Sequence, residues 1–139
     1  MILDIFSELK RPGPFAPDHE ARLFAEAIGH SGVLAPFRIN HPLRVAQRAA
    51  WIDLDSNGRL EMGLARSGGT EWEAFGVDAE TSRDQLREAL LILPRMWTQE
   101  SFSWESAHVV IPERNVVPKP LLKPHPPLWQ TATTPALSP

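Results

Sequence analysis

NHPLRVAQRAAWIDLDSNGRLEMGLARSGGT, residues 40–70, passes from a helical to a strand-like period within one short span. Asn40 and His41 supply a polar cap, and Pro42 falls in a first turn where its missing N–H loses nothing. Leu43, Ala46, Ala50 and Leu54 recur at spacings of three and four. That spacing predicts a helix with this stripe inward and Arg44, Gln47 and Arg48 in water. Asn57-Gly58 ends it. Leu60, Met62 and Leu64 then alternate with Arg59, Glu61 and Gly63, the period of a strand. Upstream, Gly29-His30-Ser31-Gly32 reads as a break, and Val33-Leu34-Ala35 fits a short strand. Strand, helix and strand in that order predict parallel pairing in an α/β fold.

The next residues, Arg66-Ser67-Gly68-Gly69-Thr70, hold the parts of an anion cradle. Glycines let the backbone approach a ligand, hydroxyls and free N–H groups can face it, and a guanidinium grips phosphate in a fork. The Lys of a phosphate-binding loop and the spacing of the dinucleotide fingerprint are both absent, so a plain strand-to-helix turn fits the same residues. Glu71 to Phe75 reads as a short helical turn. From Thr81, Leu86, Leu90, Leu93 and Trp97 trace a helix, with Thr81 and Asp84 in a capping-box relation. Pro94 inside it predicts a bend or local break, at a cost of order 3 kcal/mol. Phe102–Trp104 and His108–Ile111 fit a small hairpin, and Leu128 to Thr133 a last strand. At the other end, Met1 to Phe6 reads as a first strand and Asp18 as the cap of a helix reaching Ile28.

Composition removes several classes of function. The 139 residues suffice for one domain, 1–139, with 22% charged and 42% hydrophobic residues in ordinary balance. A net charge of -3 offers no electrostatic footprint for nucleic acid or anionic lipid. With no Cys, disulfides, thiol catalysis and iron–sulfur clusters are excluded. The longest apolar run, Ala89 to Leu93, is far short of the roughly 18 residues of a membrane span, and Met1 to Leu9 lacks the pattern of a signal peptide. A soluble cytoplasmic protein is expected. Eight of the 14 prolines fall at or after Pro112, which marks 112–127 as a proline-rich connector. Such a segment can also imitate a ligand of an adaptor domain, but large apolar residues continue on both sides of it.

His19, His30, His41, His108 and His125 are scattered without ligand spacing, so no metal site is expected. No catalytic triad can be assembled from order alone. Trp97, Trp104 and Trp129 read as core or subunit-contact residues.

In order and spacing, several segments together resemble the luciferase-like, flavin-dependent monooxygenase family. They are His41 to Arg48, Leu54 to Arg59, Gly63 to Ser67, Phe75 to Asp78, Leu93 to Thr98, Asn115 to Pro120 and Pro124 to Trp129. The resemblance implies a (β/α)8 TIM barrel, reduced FMN delivered by a separate flavin reductase, a small organic substrate, and oxygen activation on the flavin. Such a barrel requires at least about 200 residues. The expectation is therefore a partial barrel, about strands 1 and 3 to 5, truncated and internally deleted between Ile28 and Gly29, with impaired catalysis. By position the resemblance makes Arg66 the flavin-phosphate arginine, with Ala65 and Ser67 lining the same pocket. It places Ser31 and Gly32 in a turn that approaches the flavin ring. No residue matches the family's active-site histidines, so no catalytic residue is assigned. The alternative is a non-catalytic flavin-binding or dimerisation module that forms a homodimer or pairs with a full-length relative.

Overall fold

The computed structural model describes residues 30–34 and 36–130. The strand expected at Met1 to Phe6 and the helix expected from Asp18 to Ile28 lie outside the described residues.

Among the described residues three parallel strands form one sheet: β1 (His30–Leu34), β2 (Glu61–Ala65) and β5 (Leu128–Gln130), in the order β1-β2-β5. The register pairs Ser31 with Met62, Leu34 with Ala65, and Met62 with Leu128. Between β1 and β2 runs α1 (Pro42–Asp55). After β2 come the short α2 (Gly69–Phe75) and the longer α3 (Ser82–Thr98). A separate antiparallel hairpin follows, β3 (Phe102–Glu105) with β4 (Val110–Arg114). The expected α/β alternation with parallel pairing is therefore found.

Sequence explains most of the boundaries. His41 caps α1, its Nδ1 accepting from the Leu43 N–H at 3.2 Å, and Pro42 opens the helix. Asn57 and Gly58, at φ 56° and 74°, turn the chain away from α1 in the left-handed region that Asn and Gly tolerate. Gly76, at φ 61°, ends α2 in a Schellman motif, with the Val77 N–H on the Trp72 carbonyl at 2.8 Å.

The core fills the space between the sheet and the facing sides of α1 and α3. Leu60, Met62 and Leu64 of the β2 strip meet Ala46, Ala49 and Ala50 of α1 and Leu86, Leu93, Met96 and Trp97 of α3, all buried. Small alanines on α1 bring its backbone close to α3, and Trp97 Nε1 donates to the Ala46 carbonyl at 2.9 Å.

Four local expectations are corrected. Leu54 is exposed, and the inward stripe of α1 is Pro42, Val45, Ala46, Ala49, Ala50 and Asp53. Asp53 turns inward because its carboxylate receives two backbone donors, the Leu60 N–H at 3.4 Å and the Leu122 N–H at 2.8 Å. Thr81 and Asp84 form no capping box: Thr81 Oγ1 donates to the Asp78 carbonyl, and Asp84 pairs with Arg87. Pro94 does not break α3, which continues to Thr98 with Thr98 Oγ1 donating to the Pro94 carbonyl at 2.8 Å. Packing of Leu93, Met96 and Trp97 on both sides of the proline holds the helix together. The hairpin is longer than expected and shifted, with Trp104 opposite Ile111 and an irregularity between Phe102 and Trp104.

Pro112 lies inside β4, so the irregular part of the proline-rich stretch begins after Arg114. It has no element of its own and is stitched down by side chains. Lys119 Nζ donates to the Met96 and Gln99 carbonyls at 2.7 and 2.6 Å, placing a cation at the α3 carboxyl end. Gln47 Nε2 donates to the Val117 carbonyl at 3.2 Å. Among the described residues no helix is long and apolar enough to cross a membrane.

Candidate functional site

Parallel strands bring all their carboxyl ends to one edge of the sheet, and that edge collects the loops carrying polar groups. Here it gathers the loop after β1, the turn at Arg66 and Ser67, and the stretch from Gly76 to the start of α3. Backbone geometry marks the turn itself. Ser67 sits at φ 73°, a left-handed conformation uncommon for a side-chain-bearing residue. It turns the chain directly after β2, and α2 starts two residues later at Gly69.

Arg66 is gripped from two sides. Nε and Nη2 donate to Ser82 Oγ at 3.1 and 2.9 Å, and Nη2 also donates to the Ala79 carbonyl at 3.2 Å. The guanidinium carbon lies 5.6 Å from the centre of the Trp72 ring, while Trp72 Nε1 donates to the Arg66 carbonyl at 2.9 Å. Nη1 has no hydrogen-bond partner among the described residues. Ser67 Oγ is bonded to Glu71 Oε2, which brings a carboxylate to the same turn. At Gly68 and Gly69 an added Cβ would meet nothing within 4 Å, and Gly68 is extended, so neither packing nor φ demands glycine there.

The five residues singled out from the sequence therefore separate into two groups. Ala65, Arg66 and Ser67 stand together at the carboxyl end of β2. Ser31 and Gly32 are not in a turn: they lie inside β1, paired with Met62 and Gly63, and so below the level of Ala65. A strand advances about 3.3 Å per residue, so the three positions from Met62 to Ala65 amount to about 10 Å.

Sequence reasoning missed Trp72 and Ser82, the groups that orient Arg66. Their spacings of six and sixteen residues follow no period, and only the fold brings them together. It also missed a cavity of about 350 Å³ on the same edge, with Arg38, His41, Asp78, Thr81, Gln85 and His108 in its wall. Gln85 braces that wall, its Oε1 accepting the Phe37 N–H at 2.7 Å. His41 is held below the usual histidine range, first by burial and then by the charges of Arg44 and Arg114.

A parallel sheet with short crossover helices, and its functional loops gathered at the carboxyl ends of the strands, defines a protein of the parallel α/β class. Within that class the chain belongs to the luciferase-like monooxygenase family, whose sequence pattern matches residues 29–138. It is 34% identical over 111 residues to the oxygenase component of flavin-dependent trigonelline monooxygenase from Acinetobacter baylyi, a match covering 78% of this chain and 30% of that protein. The crystal structure of the monooxygenase RslO1 from Streptomyces bottropensis superposes with a TM-score of 0.72 at 29% identity, over 83% of this chain and 37% of that one. The oxygenating constituent of 3,6-diketocamphane monooxygenase from Pseudomonas putida, solved with FMN, shares the fold with a TM-score of 0.61 at 18% identity, over 79% of this chain and 36% of that one. The chain spans 30% or less of the length of the curated relatives it matches.

Proposed function

We propose that this chain carries the flavin-phosphate end of an FMN-dependent, luciferase-like monooxygenase, the oxygenase partner of a separate flavin reductase. The observation that carries the reading is the position of Arg66, immediately after β2 on the loop-bearing edge. On this reading β1, β2 and β5 are strands 3, 4 and 5 of a (β/α)8 barrel, of which this cytoplasmic chain forms a part.

The residues present fit one phosphate contact rather than a full cradle. Arg66 offers Nη1 while Ser82, Ala79 and Trp72 fix the plane of the guanidinium. Ser67 contributes less, because its hydroxyl is engaged by Glu71 and that carboxylate opposes a second anion. Ala65 would line the same pocket. Ser31 and Gly32 would reach the flavin only from inside the sheet edge. When bound, reduced FMN supplies the reaction with dioxygen. The chain's own part is to hold the phosphate, and with it the position of the ring.

Arg66→Ala is expected to remove most of the FMN affinity, at least tenfold, since a charge-assisted bond contributes about 1.5–3 kcal/mol. Equilibrium titration of flavin fluorescence measures it; an unchanged constant would sink the assignment. Arg66→Lys keeps the charge but loses the fork and should recover only part of the affinity.

A second reading, a non-catalytic flavin-binding module that pairs with a copy of itself or a longer relative, is favoured by one observation. Trp51 and Trp129 are 65% and 61% exposed, Trp129 on a strand at the edge of the described sheet. The two readings differ in turnover. Oxygen chemistry on a flavin needs a dry, closed pocket, and the three strands among the described residues enclose little of one. Supplied with reduced FMN by a reductase, the 139-residue chain alone is expected to yield hydrogen peroxide at the rate of free flavin. Oxygenated product above the protein-free control would show that it retains the chemistry.

A further inference from the structure

A cavity of about 520 Å³ opens between the start of α1 and the end of β4, away from the turn at Arg66. His41, Arg44 and Gln47 come from α1 and its cap, Arg114 and Asn115 from the end of the hairpin, and among the described residues no carboxylate lines it. The two arginines are 70 positions apart in sequence, and only the tertiary packing brings them to the wall of one hollow. Both stand close enough to His41 for their charges, after burial, to lower its pKa. Arg114 Nε donates to the Pro112 carbonyl at 3.0 Å. Neither the Arg44 guanidinium nor the terminal nitrogens of Arg114 have a hydrogen-bond acceptor among the described residues. Two guanidiniums facing one hollow repel each other, and the arrangement is relieved by an anion between them. Gln47 holds one wall in place through the Val117 carbonyl, and amides at Gln47 and Asn115 supply neutral donors beside the charges.

We propose that this cavity binds the phosphate group of a small ligand between Arg44 and Arg114, as an anion site separate from Arg66. A phosphate dianion balances the charge of two forked cations, whereas a single carboxylate neutralises only one of them. The volume leaves room beyond the phosphate for a small organic body or its water.

The His41 ring reports on occupancy. Arg44 faces it from its own helix and Arg114 from β4, while Arg38, Asp78 and His108 share the cavity on its other side. An anion seated between Arg44 and Arg114 cancels part of their field and so raises the His41 pKa. The test is an NMR titration of the His41 ring resonance at constant ionic strength, with inorganic phosphate in one arm, glycerol phosphate in a second and chloride in a third. Expected are saturable shifts and a raised His41 pKa with both phosphates, and affinities roughly tenfold weaker in Arg44→Gln and in Arg114→Gln. Tighter binding of glycerol phosphate assigns the site to a phosphate ester; equal binding assigns it to free phosphate. Both arginines are exposed, so the variants should fold as the parent does, which circular dichroism checks. Shifts no larger than those with chloride overturn the proposal. So does a phosphate effect that persists in both glutamine variants and disappears in Arg66→Ala, which would move the anion to the β2 turn.

Discussion

Trp97→Ala is expected to lower the unfolding free energy by about 4 kcal/mol, within the range for truncating a buried tryptophan. Trp97 is 2% exposed and lies where α3 crosses α1, among Ala46, Ala49, Leu93 and Met96. Its ring also stands 6.0 Å from that of His125, so one side chain joins both helices to the proline-rich segment. Truncation leaves a cavity that the rigid helix backbones cannot close. The hydrogen bond to the Ala46 carbonyl is a minor part, because that carbonyl already serves the helix ladder. Trp97→Phe, which keeps a ring and loses the donor, should therefore cost much less than Ala. Urea denaturation orders the three proteins. An alanine variant within about 1 kcal/mol of the parent would mean that the α1–α3 contact does not hold the core together.

Asp53→Ala is the second large effect, about 3 kcal/mol, and its origin is polar. The carboxylate is fully buried and accepts from Leu60 N–H at the entry to β2 and from Leu122 N–H in the proline-rich segment. Removing it leaves two backbone donors without a partner in a site that water does not reach. Asp53→Asn keeps one acceptor but turns an amide donor toward the second N–H, so its cost lies between. Hydrogen exchange separates this from a general loss of stability. In a variant held under folding conditions, the Leu122 amide should exchange faster than those of α3. Uniform acceleration across α3 and residues 115–127 would contradict the local role given to Asp53.

These two residues also show where reading the sequence stops. Leu54 has the hydrophobicity to be buried and the spacing to join the α1 stripe, whereas Asp53 looks like a surface residue. Burial was decided by two amides, one seven residues away and the other 69, neither of which leaves a periodic mark. Pro94 is similar. Its local cost is legible, but the buried contacts of Leu93, Met96 and Trp97 that keep α3 continuous come from other elements.

The sequence by itself determined what depends on short-range regularity. The cap at His41 and Pro42, the helical period of α1, the alternation at Leu60, Met62 and Leu64, and the stop at Asn57-Gly58 are all set within a few residues. The order strand, helix, strand leaves parallel pairing as the outcome. The family was legible for the same reason, since its segments are runs with fixed order and spacing. The tertiary structure alone decided the level of Ser31 and Gly32 within β1, the clasp of Trp72 and Ser82 on Arg66, and the placing of Arg44 and Arg114 in the wall of one cavity. Each is a contact between elements, and its geometry follows from how sheet, helices and hairpin dock. Residue spacing along the chain carries no record of that docking.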